Sequence, residues 1–146
     1  MRLGLPVLGV ALAGLWQSAC EGAPATSVTL HGQRFRVEVA DTDVARKQGL
    51  MYRSALDAGH GMLFIYPQPE NFRFWMMHTQ MPLDILFFDA RRRLLDVFLE
   101  APACQAEPCA RYLGSAPAKY ALELPAGTAR RLGVSRGDLL VIEPQR

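Results

Sequence analysis

The sequence has no excess of charge of either sign. Sixteen Lys and Arg stand against fourteen Asp and Glu, a formal net charge of +2. A protein built to neutralise phosphates needs a far more positive field, so no nucleic-acid partner is expected. Lysine is scarce, with Lys47 and Lys119 alone among the basic residues, and no function follows from that. No apolar run is long enough for a permanent membrane span: Leu3 to Trp16 is free of charge but short of the roughly 20 residues a spanning helix needs. Internal repeats, low-complexity tracts and interior linkers are also lacking, which leaves one core as the default for 146 residues. A 50% hydrophobic content excludes a disordered chain.

The N-terminus has a basic start at Arg2, an apolar middle and a small-residue exit, the pattern of a secretory signal peptide over residues 1–19. Two exits present themselves. Cleavage before Cys20 resembles lipoprotein processing, with the acylated cysteine as a membrane tether, although Gln17 stands where an aliphatic residue is usual. Cleavage after Ala25, at Ala23-Pro24-Ala25, would release a soluble product. Either way the expected location is outside the cytoplasm, periplasmic or lipid-anchored to the envelope, with a single β-rich domain over residues 26–146.

Cysteine is equally sparse. Of three, Cys20 stands apart, while Cys104 and Cys109 close the loop Cys-Gln-Ala-Glu-Pro-Cys, which in an oxidising compartment is expected to form a disulfide. Two metal alternatives exist: a zinc site joining the pair to His60 and His78, and a copper site drawing on Met76, Met77 and Met81 with Cys104 and Cys109. The first has one knuckle where two are needed, and methionine is more often core filler. No metal and no cofactor are expected.

Alternation governs the rest of the chain. Val28 and Leu30, a turn at His31-Gly32, then Phe35, Val37 and Val39 read as a hairpin with one wet face. Asp41-Thr42-Asp43 and Gly49 bracket a short helix. Met62 to Tyr66 is a buried strand stopped by Pro67 and Pro69. Strands are expected at Phe72 to Met76, Leu83 to Phe88, Leu94 to Leu99, Tyr120 to Leu124 and Leu139 to Ile142, with a helical turn at Thr128 to Leu132 and a long loop over residues 100–118. Arg91-Arg92-Arg93 solvates a hairpin turn. The fold class is therefore mainly β, a compact jelly-roll-like sandwich or barrel of short antiparallel strands with one or two short helices.

Gly49-Leu50-Met51-Tyr52-Arg53, Gly61-Met62-Leu63-Phe64, Phe74-Trp75-Met76, Thr79, Pro82-Leu83-Asp84-Ile85, Tyr120 to Leu124 with Ala126-Gly127, and Gly137-Asp138 form an ordered series. On these motifs the chain resembles the domain-of-unknown-function family 192 over about residues 28 to 142. The resemblance implies a jelly-roll-type β fold, often exported, and supplies no reaction. One departure stands out: the family usually has Lys-Asn-Thr after Phe-Trp-Met, and here Met77-His78-Thr79 follows.

Arg53, Trp75, His78, Thr79 and Asp84 gather a guanidinium, an indole, an imidazole, a hydroxyl and a carboxylate, the groups a polar ligand site uses. The competing reading makes Arg53 and Asp84 a structural ion pair and Trp75 core. Catalytic signatures are missing: no Gly-x-Ser-x-Gly elbow, no His-Glu-x-x-His and no phosphate-cradling loop. The leading expectation is a non-enzymatic envelope domain that holds a small polar or carbohydrate-like ligand, or a partner protein, at the Trp75 patch. The alternatives are a small hydrolase or lyase using Asp84 with His78, or with a second carboxylate such as Asp89 or Glu123, and a lipid-tethered assembly factor without a ligand.

Overall fold

The computed structural model describes residues 26–143; the apolar leader, Cys20 and both cleavage points lie outside them. In chain order the elements are β1 (Thr26–Leu30), β2 (Gln33–Ala40), α1 (Asp43–Gln48), β3 (His60–Glu70), β4 (Arg73–Trp75), β5 (Leu83–Phe88), β6 (Leu94–Ala101), β7 (Arg111–Leu113), β8 (Ala118–Pro125), α2 (Thr128–Leu132) and β9 (Leu140–Glu143). The molecule is mainly β. Seven strands form one curled sheet in the order β6-β5-β8-β3-β2-β1-β9, and β4 pairs with β7 in a separate ribbon. At one end the two sheet edges meet, where Leu94 N donates to Asp138 O at 2.8 Å and Leu140 N to Arg92 O at 2.9 Å. The result is a half-barrel rather than an open sheet.

Two-residue periodicity sorts the side chains into two cores. Inside the curl, every strand of the large sheet contributes, with Val28, Phe35, Leu63, Leu86, Phe88, Leu94, Leu122 and Leu140 among the buried residues. On the outer face Phe64, Phe72, Phe74, Met76, Ile85 and Phe87 make the second core, against which the β4–β7 ribbon packs through Tyr112. Phe74 and Phe87 meet edge to face at 5.2 Å, the geometry that aromatic quadrupoles favour. All six residues of β5 are buried because both faces of this central strand are covered. Gly61 lets β3 lie close on β8, since a Cβ there would fall 2.7 Å from Glu123 O.

Three features differ from the reading of the sequence. The pair β2–β3 is parallel, with Arg36 opposite His60 and Ala40 opposite Phe64; residues 41–59, including α1, provide the long crossover that parallel neighbours require. Strand β3 runs on to Glu70 through Pro67 and Pro69, and pairing with β8 lapses between Ile65 and Glu70, so neither proline has to supply a ladder N–H. Within the long loop, Arg111 to Leu113 forms a strand after all, placing Trp75 opposite Arg111. Three residues are too few to show an alternation.

Asp84 is fully buried on the inner face. Its two oxygens accept backbone N–H groups at 2.8 Å, Oδ1 from Glu100 and Oδ2 from Ala129. The first bond steadies Glu100 in a left-handed conformation, φ 51°, beside the break in β5–β6 register after Leu83. The second caps α2, whose own N-cap, Gly127, offers no side chain. Hydrogen bonds to a charged acceptor contribute about 1.5–3 kcal/mol each. Asp84→Ala is therefore expected to lose about 3–5 kcal/mol and Asp84→Asn, which keeps one acceptor, about 2 kcal/mol, read by urea denaturation; a loss below 1 kcal/mol in the alanine variant would contradict this role. Cys104 and Cys109 are joined by a disulfide, and the double serine variant is expected to be about 2 kcal/mol less stable on loop-closure entropy, by the same measurement.

Candidate functional site

Between α1, the segment after it, β4 and the outer face of the sheet lies a cavity of about 520 Å³, within the range of small-molecule sites. Helix α1 begins where the Thr42 side chain accepts from Ala45 N and ends at Gly49, φ 47°. A Cβ at Gly49 would sit 3.3 Å from the Phe64 ring, so glycine brings the helix end down onto the sheet. The chain then drops Leu50 into the outer core and leaves Met51 on the cavity wall.

Leu50, Met51, Phe64, Tyr66, Phe74 and Trp75 supply apolar and aromatic wall, Thr79 and Glu123 are the buried polar residues of the lining, and Lys47, Gln48 and Arg73 stand at the exposed mouth. Asp43 and Arg46 also border it and pair with each other. Arg46 is further held by the carbonyls of Asp41 and Ile65 and covers the Tyr66 ring at 4.9 Å. Tyr66 stacks on Phe72, and burial pushes its hydroxyl up to about 12.

Glu123 dominates the electrostatics. It lies between Met62 of β3 and Ile85 of β5, is 5% exposed, and has no hydrogen-bond partner among the described residues. Desolvation raises its carboxyl from an ordinary 4.5 to about 8, so at neutral pH it carries a proton and no charge. The Thr79 side chain likewise makes no hydrogen bond among the described residues. The cavity therefore presents two polar side chains beside its aromatic wall that hold no protein partner among the described residues, and each can donate to or accept from an incoming molecule.

The five residues singled out in the sequence are divided. Trp75 and Thr79 border the cavity; Trp75 is 37% exposed, with the Arg111 guanidinium 4.0 Å over its ring. Arg53 grips Glu38 through both guanidinium nitrogens, and these bonds hold the Glu38 carboxyl below its usual value. His78 takes a left-handed conformation, its ring stacked 5.1 Å from Tyr52 and its N–H bonded to Cys104 O. Asp84 faces the inner core. None of these last three lines the cavity. Met77, at the family's lysine position, has its sulfur 4.0 Å from that of Cys109 and packs on the disulfide. With both cysteine sulfurs bonded to each other, neither is a thiolate ligand, and no cluster of three or more metal-binding side chains exists among the described residues.

Lys47, Tyr66, Arg73 and Phe74 went unread because their convergence depends on the crossover and on the ribbon. Glu123 did carry a signal: it is the lone charge inside Tyr120 to Leu124, as Asp84 is inside Leu83 to Phe88.

Comparison with known proteins agrees with this architecture. A solved structure of a protein of unknown function from Novosphingobium aromaticivorans superposes with a TM-score of 0.72 at 33% identity, covering 80% of this chain and 82% of that one. A second, from Sinorhizobium meliloti and described as a candidate transcription regulator, gives 0.70 at 33% identity over 81% and 92%. Among curated sequences, the UPF0127 protein of Pyrococcus abyssi is 31% identical over 108 residues, 70% of this chain and 82% of its own length. That of Thermococcus gammatolerans is 32% identical over 106 residues, 71% and 64%; the chain thus spans a little under two thirds of the latter. The family model DUF192, described as Uncharacterized ACR, matches residues 26–142, and the chain belongs to that family.

Proposed function

We propose that this domain is a non-enzymatic binding module whose cavity receives a small, partly polar ligand. One observation carries the reading: a desolvated carboxyl group, without a hydrogen-bond partner among the described residues, in the lining of a roomy cavity with aromatic walls. Removing a carboxyl group from bulk water is costly, and strongly perturbed carboxyls in a cleft gather at functional sites. Flat rings of Phe74, Trp75 and Tyr66 suit a planar or sugar-like body, and Thr79 and Glu123 orient its polar end. A location outside the cytoplasm is part of the proposal; the Cys104–Cys109 disulfide and the leader pattern support it. The hydrolase or lyase alternative now centres on Glu123, the protonated carboxyl that faces the cavity. Turnover abolished by Glu123→Gln with ligand still bound would favour it.

Two measurements test the module. In a thermal-shift screen of small aromatics and sugars, hits are expected to raise the melting temperature of the wild type and to lose that effect in Glu123→Leu. The variant itself should be about 1–3 kcal/mol more stable at pH 7, because it replaces a desolvated carboxyl by an apolar side chain. Absence of hits, or hits kept by the variant, would count against the reading.

The second is the pH dependence of stability. With the folded-state value about 8 and the ordinary one 4.5, the folded protein binds more protons between those limits. Glu123's contribution is therefore fullest below pH 4.5 and is lost as pH rises to about 8, at up to ~1.4 kcal/mol per pH unit. Tyr66, Asp43, Arg46, Lys47 and Arg73 share the cavity, and the Tyr66 hydroxyl keeps its proton throughout that window. Urea denaturation at several pH values should show a shallower fall in Glu123→Gln; equal slopes would place the titration elsewhere.

A further inference from the structure

We infer that the ligand is a small organic anion, its acidic group held at the cavity mouth by Lys47 and Arg73 and its far end at Thr79 and Glu123. This inference rests on the ligand-binding reading of the same cavity and concerns the charge of what enters.

Five ionisable residues other than Tyr66 border the space: Asp43, Arg46, Lys47, Arg73 and Glu123. Asp43 and Arg46 form an ion pair across one turn of α1. The guanidinium is also anchored to two backbone carbonyls, so the pair presents little net field. The Lys47 and Arg73 side chains form no ion pair or hydrogen bond among the described residues. They approach the mouth from different elements, Lys47 from α1 and Arg73 from β4. Glu70, the other acid that acts on Tyr66, is exposed and does not border the cavity. Glu123 is buried in the same lining, and desolvation raises its carboxyl to about 8, which favours the uncharged form at neutral pH.

The lining is thus graded by exposure: two unneutralised cations where it meets solvent, and aromatic wall with the hydrogen-bonding groups of Thr79 and Glu123 where it is buried. Focusing of the field by low-dielectric walls strengthens the preference for a negative group at the mouth. A guanidinium fork on one side and an ammonium on the other suit a carboxylate or similar oxyanion. A cationic ligand would have to pass both charges and then ionise Glu123 to gain a counter-ion.

The test is a set of three probes on one ring system, 6-hydroxy-2-naphthoate, its neutral carboxamide and the corresponding aminomethyl cation, titrated by calorimetry into the full mature chain at pH 6.5. The carboxylate is expected to bind about 10-fold tighter than the amide, with the amine weakest. Raising salt from about 50 to about 500 mM should narrow that ratio. In the Lys47→Gln/Arg73→Gln double variant the ratio should fall toward one. Both residues are exposed, so an unchanged melting temperature verifies that the variant is folded. If amide and carboxylate bind equally and both are lost in Glu123→Leu, the charge inference is overturned and the binding module stands. If none of the three binds the wild type at millimolar concentration, both readings fall.

Discussion

A carboxyl group taken out of bulk water is stabilised by the hydrogen-bond donors it finds, and this fold contains one that finds two backbone donors and one that finds none among the described residues. Asp84 and Glu123 lie on neighbouring interior strands of the sheet, one residue apart in register and on opposite faces. Asp84 receives two backbone N–H groups and is spent on structure, tying α2 and the bend in β6 to β5. Glu123 receives none and is left to face a cavity. The same physical demand, met in one case and unmet in the other, separates the scaffold from the site.

The outer core explains why the space is not filled. The β4–β7 ribbon covers the sheet with Phe72, Phe74 and Met76, and the crossover from β2 to β3 brings Leu50 down beside them. These two covers come from different parts of the chain, and the cavity lies between them, bordered by Leu50 and Met51 on one side and by Arg73, Phe74 and Trp75 on the other. Behind Thr79, the disulfide loop braces the wall: Gln105 donates to Thr79 O at 2.8 Å, and Cys104 O accepts from His78 N.

Much of the fold was legible because alternation and turn residues are local properties. The hairpin at His31-Gly32, the helix between Thr42 and Gly49, and the buried run Leu83 to Phe88 all follow from neighbours in sequence. The parallel pairing of β2 with β3 was not legible, since it is set by how residues 41–59 pack. Site residues fared unevenly for the same reason. Trp75 and Thr79 lie within one motif and reach the cavity, whereas Arg53 and His78 belong to the same stretch of motifs but turn to Glu38 and Tyr52. Two charged residues inside apolar strands looked alike on paper; only the third dimension distinguishes the one with donors from the one without.

Helix α1 contributes no buried residue to either core, yet it forms part of the rim. Its outer positions can therefore be exchanged, and the connection lengthened, with little penalty to folding; doubling a loop costs only about 0.6 kcal/mol in closure entropy. The bracket that rims the cavity and the Asp84 carboxyl that ties the scaffold are separate parts of this chain, so the opening can be recut without disturbing what holds the sheet together.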